Sequence, residues 1–414
     1  FSRVFLKPVA LQTPPPTPAI FGIPASGKRF TWLRNTLSEE HNISATDLKS
    51  GRVPDEADLL LLASPDKMDE KQLFAVDQFL MRGGTVVIAT SPFDIESRGT
   101  LTARKQDSDL IDWLTHNGIK LQEQMVLDPQ NASFPIPVNR RIDGFEFRET
   151  RMVNYPYFSD IRGDGIVQKS GLTEGVNQVT MTWPSPISLD EQKNEGRTVI
   201  RLLESSDQAW SSDNMGIQPN YQAHGKLGFP IGDQPGTQLL AVAVEGRFDS
   251  YFKDKPSPLV AKEEETDASA ESKEKDDTEK SADKKKEPVI TRVIDRSPES
   301  ARIILFASSS FLTDDMLNLA TSGLGTRYLK PVQLVENAVD WSLEDRDLLA
   351  IRGRAHFSRT LIPMDENSKM FWEYLNYGLA MFGLLLIGLI RRQISKRAGL
   401  RYAAILGAAE MEKA

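Results

Sequence analysis

Residues 22–29, Gly22-Ile23-Pro24-Ala25-Ser26-Gly27-Lys28-Arg29, carry the G-x-x-x-x-G-K spacing of a phosphate-binding loop, between an apolar run and a helical stretch. In such a loop, backbone N–H groups and a helix N-terminus cradle phosphate oxygens, the Lys reaches the outer phosphates, and a following Ser or Thr holds Mg²⁺. Here Arg29 stands where that hydroxyl belongs, and Pro24 has no N–H to offer. The expectation is a plain strand–helix turn. Ser308-Ser309-Ser310 follows a strand, as a nucleophile would, but lacks the glycines of a nucleophile turn, and a helix N-cap is the simpler role. Tyr157, Asp160, Arg162 and Asp164 form the densest polar cluster. It reads as a turn built on Gly and Asp, with a cation-, ligand- or partner-binding loop as the alternative. His41, His116, His224 and His356 are scattered without metal-ligand spacing, and the chain has no Cys. Thiolate nucleophiles, disulfides and Cys-ligated zinc are excluded. No catalytic residue, metal or cofactor is expected, and the chain reads as a non-enzyme.

The 414 residues are 40% hydrophobic and 26% charged, enough for two or three domains with cores of their own. A net charge of −8 argues against a nucleic-acid partner, because phosphate binding wants a basic face.

The elements that must position these residues follow from pattern. Residues 1–18 are Pro-rich and read as an extended spacer; the chain starts at Phe1 with no signal-peptide pattern, so it is expected to begin within a longer product or after processing. Residues 30–41 and 69–82 read as helices, the second closed by Gly83-Gly84, and 58–63 and 85–90 as buried parallel strands. A helix follows over 107–117, then loops and short strands over 120–183, then strands over 198–204 and 238–246. This order predicts an α/β fold with a doubly wound, mostly parallel sheet and β-rich decorations, occupying 19–261. Residues 262–288 are almost wholly charged or small and predict a disordered insertion. Residues 289–369, with a strand over 301–307, a helix over 334–341 and a strand-like 348–352, complete the same domain.

Residues 370–392 predict one transmembrane helix. Tyr374 to Ile390 has no charge, Trp372, Tyr374 and Tyr377 sit at one end, and Arg391, Arg392, Lys396 and Arg397 follow at the other. The basic end favours a cytoplasmic tail over 393–414 and an extracytoplasmic, periplasmic bulk in a single-pass inner-membrane protein. A tail-anchored cytosolic protein is the competing topology.

Residues 54–65 with 77–86, and later Phe306-Ala307-Ser308-Ser309-Ser310-Phe311-Leu312 with Glu336-Asn337-Ala338-Val339-Asp340-Trp341, resemble the GldG-like auxiliary proteins of ABC transporters. The resemblance runs from about residue 18 to 397 and rests on structural motifs. It implies a fold like class I glutamine amidotransferases without their chemistry, which needs a Cys. It also implies a type-2 ABC permease and a cytoplasmic ABC ATPase as partners, in gliding-motility or related export systems, with a homodimer within the transporter as a further expectation. The leading reading is therefore a non-catalytic subunit docked on the permease. A solute-binding module using the carboxyl edge of the sheet is the second, and a hydrolase using Ser309 or Asp160 the third.

Overall fold

Short runs of Leu, Val, Ile and Ala form the centre of the protein. The computed structural model describes residues 6–15, 27–96, 101–142, 145–167, 171–259, 293–324, 327–343 and 366–411. Seven strands make the main sheet: β1 (Pro8–Gln12), β2 (Asn42–Ala45), β3 (Leu59–Ala63), β4 (Thr85–Ala89), β5 (Thr198–Glu204), β6 (Leu239–Glu245) and β7 (Arg302–Phe306). Their order is β5-β6-β7-β4-β3-β1-β2. The five from β7 to β2 run parallel, and β6 and β5 are added antiparallel at one side. From β1 the chain goes one way to β2 and the other way to β3, β4 and β7, so the order reverses between β1 and β3.

Helices cover both faces, which is why these strands read as unbroken apolar runs. Successive side chains of a strand point to opposite faces. Val9, Leu59, Leu61, Val87 and Ile304 share a core with Leu33 and Leu37 of α1 (Thr31–Glu40) and with Val335 and Val339 of the helix Lys330–Leu343. Ala10, Leu60, Leu62, Val86 and Ile303 share the other core with Phe74 and Leu80 of α2 (Glu70–Met81) and Trp113 of α3 (Asp109–His116). α2 has strong local signals: Asp69 and Gln72 form a capping box, and Gly83 turns the chain away at φ +94°. The remaining helices are α4 (Asp314–Leu324), α5 (Lys330–Leu343) and α6 (Glu366–Met411).

The structure corrects two expectations. Pro8–Gln12, within the expected spacer, is a buried interior strand between β2 and β3. It is only five residues long and opens on Pro, which is tolerated at the first residue of a strand. The region expected to hold loops and short strands contains a hairpin with arms Asn131–Ile142 and Phe145–Arg162, of 12 and 18 residues. Pro135, Pro137 and alternating charges hide its periodicity. Its base joins a third strand, Gln178–Thr182, and an aromatic core of Tyr155, Tyr157, Phe158, Trp183 and Phe229. Residues 16–26, 262–288 and 348–352, with their expected strand, insertion and strand-like run, lie outside the described residues in whole or in part.

Asp77 is a buried hub on α2. Its carboxylate accepts from Trp113 Nε1 (3.0 Å), Tyr251 N (3.0 Å), Ser250 Oγ (2.6 Å) and Gln78 Nε2 (3.1 Å), joining α2 to α3 and to the segment after β6. Next to it, Gln78 Oε1 accepts from Ile294 N at 2.8 Å. Asp249 bridges Arg296 in both backbone and side chain, so the described residues on either side of 260–292 are laced together.

The chain divides into two units, residues 1–358 and 359–414. In the second, α6 is one helix of 46 residues. Its stretch Ser368–Gly399 is long and apolar enough to cross a membrane, and none of its most apolar window is buried.

At the C-terminus of α1, His41 Nε2 lies 3.0 Å from Asp340 Oδ1 of α5. Burial, with Glu40 and Asp340 close by and His41 opposing, lifts the neighbouring Glu336 carboxyl to about 7. Two outcomes follow. Asp77→Ala strands three buried donors from other elements and is expected to cost about 3 kcal/mol in urea unfolding. The raised value means that protonated Glu336 contributes stability complete below the ordinary carboxyl value of 4.5 and lost as pH rises through about 7. Glu336→Gln is therefore expected to melt with wild type at pH 4 and about 2–4 °C above it at pH 8, solvent screening holding the effect near 1 kcal/mol.

Candidate functional site

In an open α/β sheet the ligand crevice lies outside the carboxyl ends of the strands, where the strand order reverses. Here that point is the junction of β1 and β3. Ser64, the residue after β3, is buried and held at φ +53°, a region that non-glycine residues seldom enter. Its Oγ accepts from Lys28 Nζ at 2.8 Å, and the same ammonium lies 2.7 Å from Asp94 Oδ1. Burial raises the Asp66 carboxyl; Lys28 opposes the shift and Asp94 adds to it. At the tip of β1, Gln12 is buried and its Oε1 has no hydrogen-bond partner among the described residues. Lys28, Ser64, Asp66 and Asp94 thus form a polar group at the switch point, built from segments that sequence reasoning treated separately.

The helix N-terminus that a phosphate would use is occupied by a carboxylate. Gly22 to Ser26 lie outside the described residues, but the start of α1 is clear. Thr31 N and Trp32 N each donate to Asp314, at Oδ2 and Oδ1, both at 3.1 Å. Asp314 N in turn donates to Arg29 O at 2.8 Å. α1 has no side-chain cap of its own, so a residue 283 positions away supplies one. A negative group in this position repels the anion that the motif would otherwise attract.

The serines after β7 are bolts. Ser308 Oγ donates to Thr182 O (2.6 Å) and Ser309 Oγ to Phe93 O (3.1 Å), while Ser310 Oγ meets Thr182 Oγ1 (2.8 Å). They are buried, and they precede α4 by several residues, so they do not cap it. Their hydroxyls tie the end of the sheet to the β-rich decoration. Ser91 and Ser185 make a similar link at 3.1 Å.

Tyr157, Asp160, Arg162 and Asp164 do not share one loop. The first three lie on the strand Phe145–Arg162, and Asp164 is exposed in the turn Gly163–Gly165. Tyr157 is buried against Phe229, and burial pushes its hydroxyl far up. Asp160 is buried with both oxygens on Gln178 Nε2 (2.7 and 2.9 Å) and Arg162 3.9 Å away. Burial raises its carboxyl, against Gln178 and Arg162. Among the described residues no group of three or more His, Asp or Glu is placed to hold a metal ion.

Comparison with known proteins gives a family. An uncharacterized protein of Borreliella burgdorferi (strain ATCC 35210 / DSM 4680 / CIP 102532 / B31) is 22% identical over 221 residues, which is 52% of this chain and 41% of that protein. This chain therefore spans under half the length of that relative. Among solved structures, the mmIFT52 N-terminal domain aligns over 82% of this chain and 98% of its own, at 9% identity and a TM-score of 0.40. The family described as "ABC-type uncharacterized transport system", whose name marks an auxiliary component, matches residues 17–339. That match takes in every strand of the main sheet except β1 and runs into α5, and the chain belongs to this ABC transport auxiliary family.

Proposed function

We propose that this protein is a non-catalytic, extracytoplasmic auxiliary subunit that docks on a type-2 ABC permease and assists export or substrate passage. The observation that carries the reading is the family match together with an apolar, unburied helix of membrane length in the same chain. The basic residues after the apolar run favour a cytoplasmic C-terminus, hence a periplasmic main unit on the inner membrane. ATP hydrolysis belongs to a separate ABC ATPase in this reading. Support comes from the carboxylate of Asp314 on the α1 N-terminus and from the backbone acceptors on Ser308 and Ser309. The GldG-like assignment, a fold akin to class I glutamine amidotransferases, a gliding-motility setting and a homodimer belong to the same proposal. Arg162 and exposed Asp164 are the accessible part of its proposed partner loop.

The polar group at the switch point favours a second reading, a membrane-anchored solute-binding module. Ser64 keeps an unfavoured backbone conformation beside Lys28, Asp66 and Asp94, as binding sites often do.

Pull-down of the full-length protein in mild detergent, with mass spectrometry, separates the two. Recovery of a permease and an ABC ATPase in fixed ratio, unchanged in Lys28→Ala, is the expected result. Recovery of the protein alone with a bound small molecule, lost in Lys28→Ala, would instead establish the solute-binding module.

A further inference from the structure

The two arms of the long hairpin have unlike outer edges. Ile142 pairs with Phe145, and residues three apart can face each other in an antiparallel ladder only as a hydrogen-bonded pair. In an antiparallel ladder hydrogen-bonded and non-bonded pairs alternate. The pairs Arg140–Phe147, Val138–Glu149 and Ile136–Arg151 therefore bond inward. At Arg141–Glu146, Asn139–Arg148, Pro137–Thr150 and Pro135–Met152 the backbone groups point outward. On the first arm two of those outward positions are proline, which has no N–H, and the edge is blunted. On the second arm Glu146, Arg148, Thr150 and Met152 all keep their donors.

That second edge is also open. The third strand of the sheet, Gln178–Thr182, pairs only with Phe158–Arg162, and no strand among the described residues pairs with Phe145 to Asn154 on that side. The ribbon thus extends about 34 Å beyond its third strand. A two-stranded ribbon of this kind is marginal alone in water.

We infer that the outer edge of Glu146–Met152 receives an extended segment of a transporter subunit, which adds to the ribbon as a further strand. The inference rests on the transporter reading above and names the docking surface. Outward donors and acceptors recur at every second residue, about 7 Å apart, a spacing matched by another extended backbone and not by lipid headgroups. In sequence the two arms carry both signs, Arg140, Arg141, Arg148 and Arg151 alternating with Glu146 and Glu149, so the stretch is not cationic alone. An anionic bilayer surface would favour cations alone. The prolines on the first arm leave one edge for addition, which fixes the side on which the partner lies.

The test uses the full-length chain in mild detergent, with tagged capture and mass spectrometry of the permease and ATPase. Arg148→Pro with Thr150→Pro removes two outward N–H groups and no ladder bond. Capture of the transporter subunits is expected to fall about tenfold or more, with the melting temperature unchanged. Asn139→Pro, an outward position on the blunted edge, is the control and is expected to capture as wild type does. Equal capture by the double variant, or an equal loss in Asn139→Pro, overturns the inference while leaving the transporter reading standing. Recovery of a differently tagged copy of this chain in place of the transporter subunits assigns the edge to self-pairing and also overturns it. Failure of the wild type to capture any transporter subunit removes both readings.

Discussion

A mostly parallel sheet whose central strands have no face open to water is the constraint on which the main unit depends. Strands β3 and β4 bury every residue, so each face must be covered by helices and each backbone group must pair within the sheet. The chain meets this by winding out from β1 in both directions, with α1 and α5 on one face and α2 and α3 on the other. Apolar burial supplies the driving force, but it is non-directional. Register and helix placement come from polar groups set into the cores. Asp77 is the clearest case: removing its partners from water is compensated only because four donors converge on it. A shift of α2 against α3 would break Trp113 Nε1 from its acceptor.

The same logic governs the carboxyl edge. Four segments distant in sequence meet there: the start of α1, the ends of β3 and β4, and the turn after β7. Hydrophobic packing brings them close, and Asp314, Lys28 and the serines after β7 decide how they join. The result is a joint of hydrogen bonds from neutral hydroxyls to backbone carbonyls, with the Lys28–Asp94 ion pair beside it and the Asp314 carboxylate on a helix dipole. Such a joint links the main sheet rigidly to the aromatic core of the decoration, because Ser308 and Ser310 both reach Thr182.

How much of this the sequence revealed depended on how local the determining signal was. α2 carries its own capping box, its apolar spacing and a terminal Gly, so its bounds were readable within a residue or two. β4 is a pure apolar run between a Gly pair and a turn, and was equally plain. β1 was missed because five residues beginning with Pro and ending with Gln carry too little pattern to outweigh the Pro-rich context. The hairpin was missed because two prolines and alternating charges mask a strand period that only pairing makes visible. The carboxyl-edge group was illegible for a deeper reason. Lys28 belongs to a phosphate-loop pattern in sequence, yet its actual partners are Ser64 and Asp94. The residue that closes the α1 N-terminus is Asp314, far down the chain. No spacing rule connects these positions; only the folded topology does.

The position of Asp314 bears on how a transport accessory of this fold divides labour with other chains. In doubly wound sheets the helix N-terminus beside the switch point is the natural seat of a phosphate, because free N–H groups and the dipole both favour an anion. A carboxylate that satisfies those N–H groups from within converts a ligand site into a structural contact. It stabilises the helix start through charge-assisted hydrogen bonds, and it raises the electrostatic cost of bringing a second anion there. The fold thus uses the corner where doubly wound sheets commonly seat an anion to hold itself together. With Asp314 seated there, the first N–H groups of α1 have no place for an outside anion.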